Sequence, residues 1–332
     1  MDKTNKKWKF LLTGPIHHEV QKFLELHAKF IISPVKRTSA EISHLMQEQQ
    51  TDALIVRPGK INKEIMKASP CLQVIVKHGV GYNNIDIDAA TELELPVLYT
   101  PYANFESVAE HTLALIFSMT KKINLLDKEM KNNKSWPKSK YSLEELKHKC
   151  IGLIGMGRIG LRVIQLLSPL EMQVLIYDPF VSKNALPPGV KKVKTVKELA
   201  QNADIISIHC PLTKETTCIL GKEELNSMKS NAYLINTARG ELVDETALIE
   251  VLKNGIIAGA ALDTFSLEPL SNDNPLLELN NVIVTPHVAG TTVESFIRMG
   301  VTAVKLALQV LEGKKEEIPI DHFINREALR KK

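Results

Sequence analysis

Short apolar runs alternate with stretches of helical periodicity along nearly the whole chain, and this alternation restricts the fold more than any other feature. Residues 8–13, 29–33, 53–56, 72–76 and 97–100 read as strands, with helical stretches such as 19–27 and 39–48 between them. Strand and helix in alternation predict a parallel sheet covered by helices on both faces. Asn104 is placed to cap a long apolar-rich helix over 107–130, and the Lys-, Asn- and Ser-rich stretch 131–141 reads as an exposed loop. A second series then begins, with strands at 150–154, 173–177, 204–209, 232–236, 257–262 and 282–285, and a final helix at about 292–312. The two halves look like two versions of one α/β plan. A chain of 332 residues also predicts two domains, at about 150 residues each.

Composition removes several classes. Hydrophobic residues make up 44% and charged residues 24%, which excludes a disordered chain, a collagen-like repeat and a coiled coil. Lys plus Arg is 42 against 38 Asp plus Glu, a formal charge of +4. So small a surplus on so long a chain predicts no nucleic-acid partner. No apolar run reaches the roughly 18 residues of a membrane span, so no membrane partner is expected. The basic start, 1–10, leads into an apolar stretch cut short by Gly14 and Pro15, a better first strand than signal peptide. Cys71, Cys150, Cys210 and Cys218 contain no C-x-x-C pair, so no metal site is expected and a reducing cytoplasm is the natural location. The charged end, 326–332, reads as a solvated tail.

The strongest local motif joins strand 150–154 to an apolar-patterned helix through Gly155-Met-Gly157-Arg-Ile-Gly160. In a G-x-G-x-x-G turn the first glycine permits the bend, the second lets backbone approach a pyrophosphate, and the third lets helix and strand pack closely. The helix N-terminus offers unpaired N–H groups and a favourable dipole, and Arg158 adds positive charge. Asp178 closes the next strand 18 residues beyond Gly160, near the spacing of a carboxylate that binds the adenosine ribose hydroxyls. A carboxylate there repels a 2′-phosphate, so NAD is expected over NADP.

Several separated motifs together resemble the D-isomer-specific 2-hydroxyacid dehydrogenase family, most closely its phosphoglycerate dehydrogenase-like branch. They begin at Lys77 (KHGVGYNNID), Asn104 (NFESVAEH), the glycine loop, His209 (HCPLT), Asn236 (NTARG), Asp263 (DTFSLEP) and Thr285 (TPHVAG). The resemblance implies two Rossmann-like doubly wound parallel-sheet domains with a cleft between them. The NAD-binding domain, 104–289, would be inserted into a discontinuous substrate-binding domain made of 1–103 and 290–332. It also implies a homodimer formed through the long helix after Asn104.

Reducing a 2-keto acid needs a hydride at the carbonyl carbon, a proton at its oxygen and a hold on the carboxylate. By resemblance His287 is the general acid/base, Glu268 the carboxylate that stabilises its imidazolium, and Arg239 the fork that holds the substrate carboxylate and polarises the carbonyl. The same resemblance gives Val80 and Gly81 a role in receiving the carboxylate, with Asn104 also in the substrate site. Asp263 would bind the nicotinamide carboxamide, and Ile159, His209, Pro211, Thr213, Thr237, Ala238 and His287 would line the cofactor.

Arg57 and Lys77 fall at the ends of two predicted strands on one side of the sheet, where they either hold a second anionic group or are ordinary surface cations. The activity implied is oxidation of 3-phosphoglycerate or, alternatively, reduction of hydroxypyruvate or glyoxylate. An NAD-responsive corepressor and a formate dehydrogenase share the fold; the complete triad argues against the first and the Glu268–His287 pairing against the second. The chain stops soon after its last helix, so no serine inhibition through a C-terminal regulatory domain is expected.

Overall fold

A computed structural model describes residues 7–34 and 37–329. The chain forms two compact units: one from the segment up to Asn104 with the segment from Thr291 onward, the other from Phe105–Gly290.

The discontinuous unit holds a five-stranded parallel sheet of β1 (Trp8–Leu12), β2 (Ala28–Ile32), β3 (Ala53–Val56), β4 (Val74–Lys77) and β5 (Val97–Leu98), in the order β2-β1-β3-β4-β5. Between the strands run α1 (His18–His27), α2 (Ser39–Gln49), α3 (Lys63–Lys67) and α4 (Ile87–Glu92). Successive strand side chains point to opposite faces, and both faces are buried. Phe10, Leu12, Ile55 and Val76 pack with α1 and the chain's last helix, Val293–Leu311. Leu11, Leu54, Val56 and Ile75 pack with α2 and α3 on the other side. Without that last helix one face would stand open, which is the packing reason for the chain to return to its first sheet. The return is close: a Cβ on Gly300 would lie 2.6 Å from Val20 Cγ2.

The continuous unit begins with α5 (Phe105–Thr120) and α6 (Ile123–Asn132), then adds β6 (Cys150–Ile154), α7 (Arg158–Leu167), β7 (Gln173–Tyr177), β8 (Val190–Lys192), α8 (Val196–Asn202), β9 (Ile205–Ile208), α9 (Lys222–Ser227), β10 (Tyr233–Asn236), α10 (Glu245–Lys253), β11 (Gly259–Leu262) and β12 (Val282–Val284). The last helix of the chain is therefore α11. All seven strands are parallel, in the order β12-β11-β10-β9-β6-β7-β8. The order reverses between β6 and β9, and such a switch point opens a ligand crevice outside the carboxyl ends of the strands. On one face α5 and α7 cover Ile151, Leu153, Ile205 and Ile235. On the other, α8, α9 and α10 cover Ile154, Ile206, Ile208 and Leu234.

Two details depart from the sequence reading. The helix predicted over 107–130 is two helices, separated at Lys122, whose φ is +50°. The buried stripe of α5 ends at Met119 and Thr120, two lysines follow, and Ile123 is exposed, so nothing apolar carries the first helix onward. Asn104 does not cap α5, because its buried Oδ1 accepts no hydrogen bond. The tail predicted at 326–332 begins as a short turn of 3₁₀-helix, Arg326–Leu329, and its last three residues lie outside those described, as do 1–6 of the basic start. No described helix is long and apolar enough to cross a membrane.

Candidate active site

Site-bearing loops of the continuous unit leave the carboxyl ends of its strands. After β6, Gly155 turns with φ +95°, and a Cβ there would sit 2.8 Å from the backbone N of Cys210. A Cβ on Gly160 would lie 2.5 Å from Gly155 O, so this glycine is dictated by the close approach of helix and loop. Gly157 differs, since a Cβ there would meet nothing within 4 Å. It precedes α7 without a side-chain cap, and the N–H groups of Ile159 and Gly160 donate to no group among the described residues, so they can receive an anion. Arg158 begins that helix exposed, and Ile159 is half-buried against the sheet.

Asp178 is fixed at the end of β7. Its Oδ2 accepts from Met156 N–H at 2.9 Å, inside the glycine turn, and its Oδ1 accepts from Phe180 N–H at 2.9 Å. Each oxygen keeps further acceptor capacity. After β9, His209 lies 2.9 Å through Nε2 from Ser207 Oγ, and burial pushes its pKa down to about 3, so the ring is neutral. Pro211 and Thr213 follow in an exposed turn closed by Thr216, which donates to Pro211 O and accepts from Thr213 N–H.

β10, β11 and β12 are neighbours in the sheet, and each is followed by one of the three principal candidates. The loop after β10 is bonded to itself: Asn236 Nδ2 donates to Arg239 O, and Ala238 N–H donates to Asn236 Oδ1. Thr237 in this loop is buried. Arg239 is half-buried, donates through Nη1 to Ala238 O at 2.6 Å, and has no carboxylate partner among the described residues. Glu268, in the loop after β11, accepts from Phe265 N–H through Oε1 at 3.1 Å. Its Oε2 lies 2.7 Å from His287 Nδ1, in the loop after β12. A carboxylate on Nδ1 sets that nitrogen as the donor and leaves Nε2 to exchange a proton elsewhere.

His287 has φ +53°, a left-handed conformation uncommon for residues with a Cβ. Asp263 supports this turn. Its carboxylate is wholly buried and accepts from Thr285 Oγ1 at 2.6 Å, Val288 N–H at 2.9 Å and Ala289 N–H at 2.9 Å. Its backbone carbonyl accepts from His287 N–H at 2.8 Å. Thr285 was missed from the sequence although it stands in the same motif as His287.

The remaining candidates belong to the discontinuous unit. Val56 pairs in register with Lys77, which brings Arg57 and Lys77 to neighbouring strand ends. Lys77 Nζ donates to Arg57 O and to Asn84 Oδ1, at 2.8 and 3.0 Å, and Asn84 Nδ2 donates to Arg57 O and Gly59 O. Much of the Lys77 ammonium is thus used to tie loops, with Asn84 as a partner that sequence reading passed over. The Arg57 guanidinium lies 4.5 Å from the centroid of the Phe296 ring, on α11, and burial lowers its pKa. His78 packs edge-on against the same ring and is held down to about 3 by burial, helped by the charges of Arg57 and Lys77. Beyond β4, the N–H groups of Val80 and Gly81 donate to no group among the described residues. Asn104 ends this unit with its buried Oδ1 unpartnered. Among the described residues, no group of three or more His, Cys, Asp or Glu side chains could hold a metal ion.

Comparison with known proteins points one way. Residues 113–289 match the family model described as D-isomer specific 2-hydroxyacid dehydrogenase, NAD binding domain. The chain is 36% identical over 318 residues to a D-3-phosphoglycerate dehydrogenase of Archaeoglobus fulgidus, covering 96% of this chain and 59% of that protein. It therefore spans under two thirds of that relative's length. It is 40% identical over 286 residues to a glyoxylate reductase of Thermofilum pendens, covering 84% of this chain and 83% of the relative. Among solved structures, the D-lactate dehydrogenase of Aquifex aeolicus in complex with NAD and lactic acid superposes with a TM-score of 0.83 at 30% identity, covering 95% of this chain and 99% of that one.

Proposed function

The chain belongs to the D-isomer-specific 2-hydroxyacid dehydrogenase family, and from that premise we propose that it transfers a hydride between NAD(H) and a small 2-hydroxy or 2-keto acid, most nearly as a 3-phosphoglycerate dehydrogenase does. The observation that carries this reading is the 2.7 Å contact between His287 Nδ1 and Glu268 Oε2 beside an arginine with no carboxylate partner.

The glycine turn fits a dinucleotide: Gly155 and Gly160 are dictated by backbone contacts, and Gly157 leaves open space at the start of α7. The first turn of α7 and Arg158 would hold the pyrophosphate, and Asp178 the adenosine ribose. When bound, the nicotinamide supplies or accepts the hydride. Thr237 and Ala238 after β10, the loop of His209, Pro211 and Thr213, and Ile159 would line it. Asp263 presents no surface to a carboxamide, because its wholly buried carboxylate is taken up by Thr285, Val288 and Ala289; it would instead hold the turn that carries His287, which corrects the direct contact expected from the resemblance.

In the reducing direction His287 gives the proton on Nε2 to the carbonyl oxygen, while Glu268 offsets the charge of the imidazolium. In the oxidising direction the neutral ring takes the proton from the hydroxyl. Arg239 binds the carboxylate and draws electron density from the carbonyl. Val80 and Gly81, whose N–H groups donate to no group among the described residues, would be the carboxylate-binding candidates of the discontinuous unit, which with Asn104 would serve as the substrate-binding domain. Arg57 remains the candidate for a second anionic group. The engagement of Lys77 by Arg57 O and Asn84 favours a second reading, a glyoxylate or hydroxypyruvate reductase without that group.

We further infer a homodimer in the cytoplasm. Exposed Ile123, Met130, Trp136 and Leu143, on and after α6, support the first, and four free cysteines support the second.

A panel of 2-keto acids with NADH, followed by loss of NADH absorbance, tests the reading. Turnover of phosphohydroxypyruvate well above hydroxypyruvate is expected, and Arg57→Ala should raise its KM. Equal turnover of both favours the reductase, and no turnover of any member contradicts the dehydrogenase reading.

A further inference from the structure

Two adjacent residues of α5 reach the loops that carry His287 and Arg239. His111 Nε2 lies 3.2 Å from Thr285 Oγ1, and Thr112 Oγ1 lies 3.0 Å from Thr237 Oγ1. Each contacted threonine stands two positions before one of the pair: Thr285 before His287, Thr237 before Arg239.

The remaining partners fix the direction of donation. Thr285 donates its hydroxyl proton to Asp263 Oδ1 at 2.6 Å, so it accepts from His111, whose Nε2 then carries a proton. Thr112 donates its own to Val108 O at 2.8 Å, so Thr237 donates to Thr112. The first chain ends on a wholly buried carboxylate that also takes Val288 N–H and Ala289 N–H, the two residues after His287. A histidine at φ +53° persists where its surroundings over-determine the turn, and this chain supplies that constraint. The second chain is buried at Thr112 and Thr237, where an unpaired hydroxyl is costly. Helix α5 is itself anchored: Glu106, in its first turn, accepts from Arg162 Nε at 2.9 Å and Nη2 at 2.6 Å, on the helix that begins at the glycine loop.

We infer that His111 and Thr112 are positioning residues that set the spacing between His287 and Arg239 from one rigid helix. His111 acts through Thr285 and Asp263 on the turn of His287, and Thr112 acts through Thr237 on the loop of Arg239. The roles of His287 and Arg239 in this inference rest on the dehydrogenase reading above.

Kinetics and NMR on the intact protein test it together. Thr112→Val keeps the shape and removes the acceptor. It should raise KM for the 2-keto acid roughly tenfold without moving the pH profile of kcat, and Thr112→Ser should restore it. His111→Leu should lower kcat roughly tenfold with KM and NADH affinity within about twofold, and His111→Gln, which keeps a donor, should recover most of the loss. Melting temperatures that fall while both kinetic constants hold, or a loss that the conservative variants do not rescue, would overturn the proposal.

Nitrogen-edited NMR gives a readout independent of turnover. His111 should be protonated at Nε2, His111→Leu should shift the amides of Val288 and Ala289, and Thr112→Val should shift those of Ala238 and Arg239. A proton on Nδ1 alone, or shifts confined to α5, would overturn the positioning role. A wild-type protein inactive on every 2-keto acid that nonetheless gives these shifts would overturn the dehydrogenase reading and leave the tether standing.

Discussion

At His287 the side chain and the backbone are held by different partners, Glu268 for the ring and Asp263 for the turn. The ring partner was readable as a motif, because the residue types and their order carry it. The backbone half was not, since nothing in the letters around Thr285-Pro-His287 states the sign of φ or that a buried aspartate collects three donors there. Asp178 shows the same division: its place after β7 follows from spacing, but its bonds to Met156 and Phe180 appear only in three dimensions. A carboxylate fixed in this way repels a 2′-phosphate and accepts from ribose hydroxyls. The protein should therefore bind NADH more tightly than NADPH, and Asp178→Ala should narrow that ratio roughly tenfold or more. A titration in which the variant keeps the parental ratio would remove this role from Asp178.

Among the elements, the loops after β10 and β11 are locked together at Gly240. A Cβ there would fall 1.9 Å from the carbonyl carbon of Phe265, an overlap that only movement of one loop relieves. Gly240→Ala should therefore separate Arg239 from the Glu268 loop, lowering kcat/KM by roughly a hundredfold and lowering the melting temperature. A variant as active and as stable as the parent would show that the loops move freely. The strands that sequence pattern revealed best are the buried apolar ones, such as β3 and β6. β8 escaped because it is a three-residue edge strand, Val190–Lys192, whose two lysines break the apolar pattern. The break between α5 and α6 escaped because both helices look apolar in sequence, although only α5 buries a continuous stripe.

On the scale of the whole molecule, each unit holds a histidine in its neutral form, buried His78 in one and half-buried His209 in the other, and loss of hydration lowers both to about 3 from an ordinary 6.5. Unfolded chains take up the proton first, so the stability these groups contribute is complete above pH 6.5 and is lost as pH falls toward 3. Melting temperature should decline across that window, and His78→Asn should reduce the slope for the discontinuous unit; an unchanged slope would place the acid sensitivity elsewhere. The parallel architecture was legible throughout, because strand and helix alternate twice, whereas which oxygens take which donors was not. The proposed hydride transfer depends most on His287 as the group that gives and takes the proton. Its most direct test is His287→Ala in the intact protein, comparing kcat for 2-keto acid reduction with the dissociation constant for NADH. A loss of roughly 10²–10⁴ in kcat with NADH affinity within about twofold is the predicted result. Turnover close to that of the parent would contradict the account.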